Sequence, residues 1–361
     1  QTNIDLRTIT AGPAADAGNV ALIANAGSIV DAANSTNVNI TANGLLLDAA
    51  NGIGSGSNAV ETTVSSLAAT AGAGGLFVTE TDGLSIEVVT VEVERVTAQG
   101  ALEVPAIESD LEDLTTTAGG AIVVTVTSGD FVLNAGDEAG VVDATGDGNV
   151  RLEAVLGGLT LNAGLDAGSG HVTLLADAAL TQAANGVIET TGVGTLDVEA
   201  DSISMVDGAM TTADGNVRYA LTIGQISTDA NVSLIAADIT DSATAGNMIV
   251  DVIADQLRIA STAAVGTNVN HLTTTVNRLS GRAGAEGLFV TETADLIVGR
   301  TDAITVQRVA LNAGSADQID GLQDDVISGG AVVVDVTGAL TTEATGGIDA
   351  QGNVLLRAVG A

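Results

Sequence analysis

The sequence contains no cysteine and no lysine. Without cysteine there is no disulfide framework and no thiolate metal site, an absence that fits either a reducing compartment or an exported protein that avoids cysteine. All 10 basic residues are arginine and stand against 45 acidic residues, so the net charge is −35. This charge argues against nucleic acid and anionic membranes as partners, because binding to either requires a cationic face.

Aromatic residues make up only 1% of the chain, although hydrophobic residues reach 46%. A large globular core normally uses aromatic rings to fill irregular volumes. A core made of Val, Ile, Leu and Ala therefore favours a narrow, uniform cross-section. No apolar run approaches the ~18 residues of a membrane-spanning helix, which predicts no membrane insertion.

Short strands of alternating character dominate what is present. The stretch GLFVTETDGLSI at 75–86 returns as GLFVTETADLIV at 287–298. Val, Phe and Ile alternate there with Thr, Glu and Asp, which predicts a strand with one apolar face and one polar face. Other matches at the same spacing extend the copy, so that 19–118 resembles 231–328.

Strand starts of the form Gly-Asn-Val recur at intervals of roughly 20 residues, and a unit of that length cannot close its own core. Stacking such units buries a continuous apolar column. The sequence therefore predicts an all-β fold, a right-handed parallel β-helix (β-solenoid) of about 17 coils with roughly 20 residues per coil. We expect residues 1–361 to form a single continuous solenoid segment and to be a piece of a longer chain. An array of antiparallel sandwiches is the alternative.

Two acidic stretches, at 103–114 and 316–326, interrupt the regular spacing of strand starts. Both precede similar strands, so we expect them to be loops that leave the coil at the same place in the long repeat. The triplet Asn-Ala-Gly predicts a corner in the coil, since Asn and Gly tolerate left-handed backbone angles. A stacked asparagine ladder is the alternative. The triplet occurs at 25–27, 134–136, 162–164 and 312–314.

Gly-Asn-Val-x-Leu, followed by Asn-Ala-Gly and a second short strand, resembles the coils of filamentous-haemagglutinin-type exoproteins. It also resembles the giant repeat-rich surface proteins of bacteria. The resemblance extends over essentially the whole chain and implies a right-handed β-helix with an extracellular or cell-surface location. It also implies a structural or adhesive role in a surface or matrix filament, with no catalytic residue. The expected partners are copies of the same chain or further repeats joined end to end, and cell-surface glycans.

Carboxylates supply the only candidate ligands for a metal. Asp137, Asp143 and Asp147 are separated by glycine turns and offer the oxygen ligands that calcium prefers. Their spacing matches neither the EF-hand loop nor the calcium-binding β-roll repeat, so a solvated acidic turn is the simpler interpretation. The acidic residues of 103–114 and 316–326 have the same two interpretations. No other cofactor is predicted.

Catalysis is not expected. His171 and His271 are the only histidines, and no nucleophile-elbow pattern surrounds a serine. A polysaccharide-acting enzyme remains an alternative because β-helices support such activities, although four aromatic residues are few for sugar-binding platforms. Thr-x-Thr pairs, as at 79–81, raise a ligand-binding or ice-binding module as a further alternative. The strand propensity of threonine explains the pairs more simply.

Overall fold

The structure, a computed structural model, describes residues 3–360 with internal gaps, and the gaps are 13–17, 34–35, 94–95, 102–105, 135, 137–139, 184, 206–209, 212–213, 243–248 and 345. The chain divides into two compact units. The first comprises 1–170 with the turn 309–314, and the second comprises 171–308 with 315–361. All regular structure in the described residues is β-strand. None of those residues forms a helix of the length and apolarity needed to cross a membrane.

Short strands joined by tight turns make up the first unit. In chain order they are β1 (Ile4–Leu6), β2 (Ile9–Thr10), β3 (Val20–Ala24), β4 (Ile29–Asp31), β5 (Ile40–Thr41), β6 (Gly44–Ala49), β7 (Gly52–Ile53), β8 (Val60–Thr63), β9 (Ser66–Ala71), β10 (Gly75–Glu80), β11 (Leu84–Ile86), β12 (Val89–Val93), β13 (Ala106–Leu111), β14 (Leu114–Thr116), β15 (Ile122–Val126), β16 (Phe131–Leu133), β17 (Gly140–Ala144), β18 (Val150–Ala154), β19 (Leu159–Leu161) and β20 (Gly164–Asp166).

The second unit continues the same pattern. Its strands are β21 (Val172–Gln182), β22 (Ile188–Glu189), β23 (Thr195–Met205), β24 (Met210–Thr211), β25 (Asp214–Ile223), β26 (Ile226–Ser227), β27 (Asn231–Ala236), β28 (Ile239–Asp241), β29 (Val252–Ser261), β30 (Ala264–Val265), β31 (Leu272–Ala283), β32 (Gly287–Glu292), β33 (Leu296–Val298), β34 (Ile304–Val309), β35 (Ser315–Asp320), β36 (Val326–Ser328), β37 (Val332–Val336), β38 (Leu340–Thr342), β39 (Ile348–Ala350) and β40 (Val354–Ala358).

Strands of successive coils stack in parallel within each unit. In the first unit, β6 pairs with β9 so that Leu45 lies beside Leu67, its counterpart one coil later. In the second unit, β29 pairs with β31 so that Leu257 lies beside Leu279 in the same way. Parallel pairing of strands one coil apart is the arrangement of a parallel β-helix. The predicted fold class is therefore confirmed.

The interior of each coil is an aliphatic column. Along β6, the side chains of Leu45, Leu47 and Ala49 are buried. Successive side chains of a strand point to opposite faces, so these alternate residues stack on their counterparts in β9. Burying each Leu, Ile or Val side chain stabilises the fold by about 1.5–3 kcal/mol. Phe131, the one buried phenylalanine of this column among the described residues, shows that the cross-section rarely leaves room for a ring.

One coil of each unit is much longer than its neighbours. Ala69 pairs with Leu114, and Gly281 pairs with Val326, so the chain makes a long excursion before it returns to the stack. The additional residues form a two-stranded sheet beside the coil, β12 with β13 in the first unit and β34 with β35 in the second. We call these sheets hairpin 1 and hairpin 2. The acidic stretches do leave the coil, but as return strands of ordered hairpins rather than as loops; residues 102–105 lie outside the described part.

Candidate functional site

We call two residues equivalent when they occupy the same position in the two copies of the long repeat, as Gly75 and Gly287 do. Equivalent residues lie in corresponding strands and turns of the two units. The GLFVTE strands are β10 in one unit and β32 in the other. Gly54 and Gly266 both have φ of 61°, and a Cβ on either would lie 2.5 Å from the carbonyl oxygen of the phenylalanine in the next GLFVTE strand. Only glycine accepts that combination of left-handed backbone and close contact. The duplicated sequence therefore corresponds to a duplicated backbone.

A fully buried glutamate closes the corner that follows β10. Glu80 lies on the same face of the strand as Leu76 and Val78, with no exposed surface. Its Oε2 accepts a hydrogen bond of 2.6 Å from the hydroxyl of Thr62, and its Oε1 accepts one of 2.8 Å from the backbone N–H of Thr81. The interpretation that the glutamate belongs to the polar outer face is wrong. It faces inward because the corner needs an acceptor for its backbone donors.

The second unit repeats this arrangement at Glu292. The hydroxyl of Thr274 donates to Glu292 Oε2 at 2.8 Å, and the N–H of Val276 donates to the same oxygen at 3.0 Å. In the first unit, the N–H of Val64 makes the equivalent bond to Glu80 at 3.1 Å. Two independent copies of one buried network point to a role in folding the corner.

Burial raises the pKa of both glutamates. For Glu80 the hydrogen bond from Thr62 opposes the shift only in part, and the pKa reaches about 7. Burial also raises the pKa of Glu292. Neither carboxyl has exposed surface, so no substrate reaches it. These groups therefore couple the stability of the corner to pH instead of acting as catalytic acids.

A second buried polar position carries different residues in the two units. Asn39 Oδ1 accepts a hydrogen bond of 2.9 Å from the backbone N–H of Glu61. At the equivalent position, Asp251 Oδ2 accepts one of 2.6 Å from the N–H of Thr273. Burial raises the pKa of Asp251 to about 8, and the nearby carboxyl of Asp241 adds to the shift. Burial thus favours the protonated form of Asp251 near pH 7, at the position where the first unit has an amide.

Hairpin 1 lies on the outer face of the coils through apolar contacts. Val89 and Val91 form a buried cluster with Leu46 and Ala68, which point outward from β6 and β9. Ala21, from the coil before, packs against the same cluster. The outward side chains are small or aliphatic because the hairpin covers them.

Hairpin 2 occupies the equivalent place with polar contacts. The positions of Ala21, Leu46 and Ala68 are taken by Ser233, Arg258 and Ser280. Arg258 Nε donates to the carbonyl oxygen of Gly321 at 2.9 Å, and Ser280 Oγ lies 2.6 Å from Thr301 Oγ1. The hairpin is also anchored by Arg308, whose guanidinium contacts Asp197 and Glu199 at 2.5 Å each. Ile304, Val306 and Val309 of β34 are also buried. Hairpin 2 therefore adds polar contacts to apolar ones, whereas the contacts beneath hairpin 1 are apolar.

The calcium candidates fall partly outside the described residues. Asp137 lies there, so the predicted group of three stays a prediction. Asp143 lies exposed on β17, in register with Asp166, and burial and that neighbouring carboxylate raise its pKa. Asp147 lies on the following turn, with its carboxylate against Gly119. Within the described part of the chain, no three His, Cys, Asp or Glu side chains are grouped to hold a metal.

Both histidines are half-buried and contact threonines of the next coil. His171 Nδ1 lies 3.1 Å from Thr195 Oγ1, and His271 Nδ1 lies 2.9 Å from Thr291 Oγ1. Burial lowers the pKa of each. Burial therefore favours the neutral form of both imidazoles.

Two of the Asn-Ala-Gly triplets lie in turns, and the asparagines of the other two stack. Residues 25–27 and 312–314 lie in turns, and in the latter it is Ala313, with φ of 62°, that takes the left-handed conformation. Asn162 Nδ2 donates to Asn134 Oδ1 at 2.9 Å, and Asn134 Nδ2 donates to Ser85 Oγ at 2.9 Å. A short asparagine ladder therefore exists in the first unit.

No protein-family model, curated protein or solved structure matches this chain.

Sequence reasoning missed the two buried glutamates, although the sequence contained a signal for them. Glu80 follows Leu76 and Val78 at the even spacing of one strand face, and Glu292 follows Leu288 and Val290 in the same way. Strict alternation thus placed both acids on the apolar side. Nothing in the local pattern identified the threonine that lies beside each acid one coil earlier.

Proposed function

We propose that this chain is a structural or adhesive element of a bacterial cell surface or extracellular matrix, in which the coils form a scaffold that presents the hairpins. The observation that carries this proposal is the hairpin itself. It leaves both units after equivalent strands, β11 and β33, and returns at β14 and β36. A repeat scaffold that carries a hairpin at the same position in each long repeat is suited to displaying several such hairpins along its length.

The contrast between the two hairpins supports this role. Leu46 and Arg258 occupy equivalent positions beneath them, yet one makes an apolar contact and the other a hydrogen bond. The coil has kept its backbone while the outer surface has changed. Hairpin 2 also exposes an apolar side chain, since Ile319 is 58% exposed, and Leu322, just after β35, is 48% exposed. Exposed apolar residues on an ordered arm provide contact area for a partner.

We further propose that copies of this chain, or further repeats, join end to end. In the described residues β40 pairs only with β37, and its apolar side chains Val354, Leu355 and Leu356 are 40–51% exposed. An unpaired strand edge of this kind pairs readily with another strand. The net charge of −35 opposes association, so joining requires enough salt to screen it.

The test uses two lysine substitutions on β40. Leu356 lies in register with the buried Val334 and faces the column, whereas Leu355 faces outward. We expect the wild-type chain to form filaments in electron micrographs at about 0.15 M salt or above. Leu355→Lys should retain the filaments and Leu356→Lys should abolish them. A monodisperse wild-type monomer under all conditions, or equal behaviour of the two variants, would refute end-to-end joining.

A further inference from the structure

The first unit contains a pocket on its outer face, above Phe77. Its volume is about 330 Å³, at the small end of the range for small-molecule sites. The floor is apolar and consists of Phe77, Val123 and Leu311. Phe77 and Val123 are paired outward residues of β10 and β15. Leu311 belongs to the turn 309–314, which packs within this unit.

The walls are held in place from both sides. Arg151 Nη1 donates to the carbonyl oxygen of Val309 at 2.7 Å, and Asn149 Nδ2 donates to that of Ala313 at 2.9 Å. On the opposite side, a Cβ on Gly56 would lie 2.4 Å from Cα of Asn312, so the loop carrying Gly56 touches the turn. The pocket is therefore formed by fixed backbone.

A carboxylate without a counter-charge lines this pocket. Glu61 is half-buried, and its Oε2 is buried with no hydrogen-bond partner among the described residues. Among the residues that the structure describes, no arginine forms an ion pair with the Glu61 carboxylate. Burial raises the pKa of Glu61, and the negative charge of Asp31 adds to the shift. A partly desolvated carboxylate is stabilised by a cation placed beside it.

The second unit fills the corresponding space with its own side chain. The equivalent of Ala59 is His271, whose ring lies against Phe289 with 5.9 Å between ring centroids. The equivalent of Glu61 is Thr273. The small side chain of Ala59 and the acid of Glu61 therefore occur together in the unit that has the pocket. Such a combined difference, Ala59 and Glu61 in one unit against His271 and Thr273 in the other, is expected if the first unit has a binding site that the second unit lacks.

We propose that the Phe77 pocket binds a primary ammonium group carried on an apolar stem, as in an alkylamine or a lysine side chain of a partner. The stem packs on Phe77, Val123 and Leu311. The ammonium lies at the accessible part of the half-buried Glu61 side chain and compensates the carboxylate charge without contacting the buried Oε2. An ammonium near the ring also gains from the negative face of the aromatic system. A calcium ion fits less well, because Glu61 is the one carboxylate among the lining residues and the other side-chain oxygens of the lining are neutral hydroxyls and an amide. A neutral sugar would leave Glu61 uncompensated.

Residues 1–361 include no lysine, so no lysine side chain among them can be the occupant. The net charge of −35 raises the local concentration of cations around the surface. This inference is independent of the structural role proposed above, since the pocket binds its ligand whether or not the chain forms filaments.

The test is calorimetric titration of the whole chain with n-butylammonium, and with n-butanol and methyl glucoside as neutral controls. We expect n-butylammonium to bind and both neutral probes to fail. A blocked tripeptide with a central lysine distinguishes the source: tighter binding than n-butylammonium identifies a partner's lysine, and weaker binding identifies a free amine. No binding of either cation, or equal binding of a neutral probe, would overturn the proposal.

Two variants locate the binding. Glu61→Gln preserves the shape of the side chain but removes its charge, so we expect about a tenfold or greater loss of affinity, the size of one charge-assisted hydrogen bond. Ala59→His introduces the residue of the second unit and should close the pocket. Circular dichroism checks that both variants fold. Unchanged affinity in the folded Glu61→Gln variant would contradict the proposal, even if Ala59→His were to misfold.

Discussion

Asp251→Asn should stabilise the protein, because it replaces a buried acid with the residue found at the equivalent position 39. The amide of Asn39 already shows that the site accepts asparagine, with Oδ1 accepting the N–H of Glu61. In the variant, the new amide oxygen accepts the N–H of Thr273 in the same way. The donor lost with the carboxyl proton is replaced by the amide N–H.

The size of the effect follows from the pKa of Asp251, which burial raises from 3.8 to about 8. Below about pH 4 the group is protonated in both folded and unfolded chains and has no effect. As the pH rises towards 8 the unfolded chain releases its proton and the folded chain retains it, so stability falls. At about 1.4 kcal/mol per pH unit, the wild type loses on the order of 4 kcal/mol by pH 7.

The assay is denaturant unfolding across the range from pH 4 to about pH 8 that this pKa shift defines. We expect the wild type and Asp251→Asn to agree at the acidic end and to separate progressively, with the variant more stable. Asp349→Asn, at an exposed position, is the control and should follow the wild type. A variant that is less stable at pH 7, or whose curve runs parallel to the wild type, would refute the reasoning.

Three further predictions use the same unfolding assay. Glu80→Ala leaves the hydroxyl of Thr62 and backbone donors of the corner unsatisfied, so it should lower the free energy of unfolding by about 2–4 kcal/mol. Glu80→Gln should fold. Because it has no titrating proton, its stability should not decline between about pH 4.5 and 7 as that of the wild type does. Leu46→Ala removes packing beneath hairpin 1, with an expected cost of about 2–3 kcal/mol and faster protease cleavage in the hairpin; protection equal to the wild type would contradict this. Gly54→Ala should cost about 1–3 kcal/mol because of its left-handed backbone and contact with a carbonyl, and Gly18→Ala, in open space, should cost nothing measurable.

The fold was predictable because alternation and repeat length are local properties of the sequence. The period-2 pattern identified the strands of the duplicated stretches, β10 and β32, and a unit of about 20 residues can bury its apolar face only by stacking. The places where the hairpins leave the coil were also predictable, because the regular spacing of strand starts is interrupted there. The return strands of the hairpins were not, because β13 (AIESDL) and β35 (SADQID) are acidic and lack the alternation of apolar and polar residues that identifies a strand.

The sites were less predictable because they depend on contacts between coils. The partner of Glu80 is Thr62, and the wall of the Phe77 pocket includes Leu311, which is distant from Phe77 along the chain. No periodicity of the sequence specifies such contacts. Comparison of the two copies is more informative, since Ala59 against His271 and Asn39 against Asp251 mark the places where equivalent backbones carry different chemistry.

Pairs of engineered cysteines test the coil register of both units directly, because the chain has no native cysteine. Asp48 pairs with Thr70 in the first unit, and Ala260 pairs with Arg282 at the equivalent positions of the second. Parallel strands lie about 4.8 Å apart, within the Cα separation that a disulfide spans. We predict that cysteines at 48 and 70, and at 260 and 282, oxidise to intramolecular disulfides, whereas cysteines at 48 and 68, which are out of register, do not. Efficient bonding of the out-of-register pair, or failure of both in-register pairs, would contradict the duplicated parallel coil.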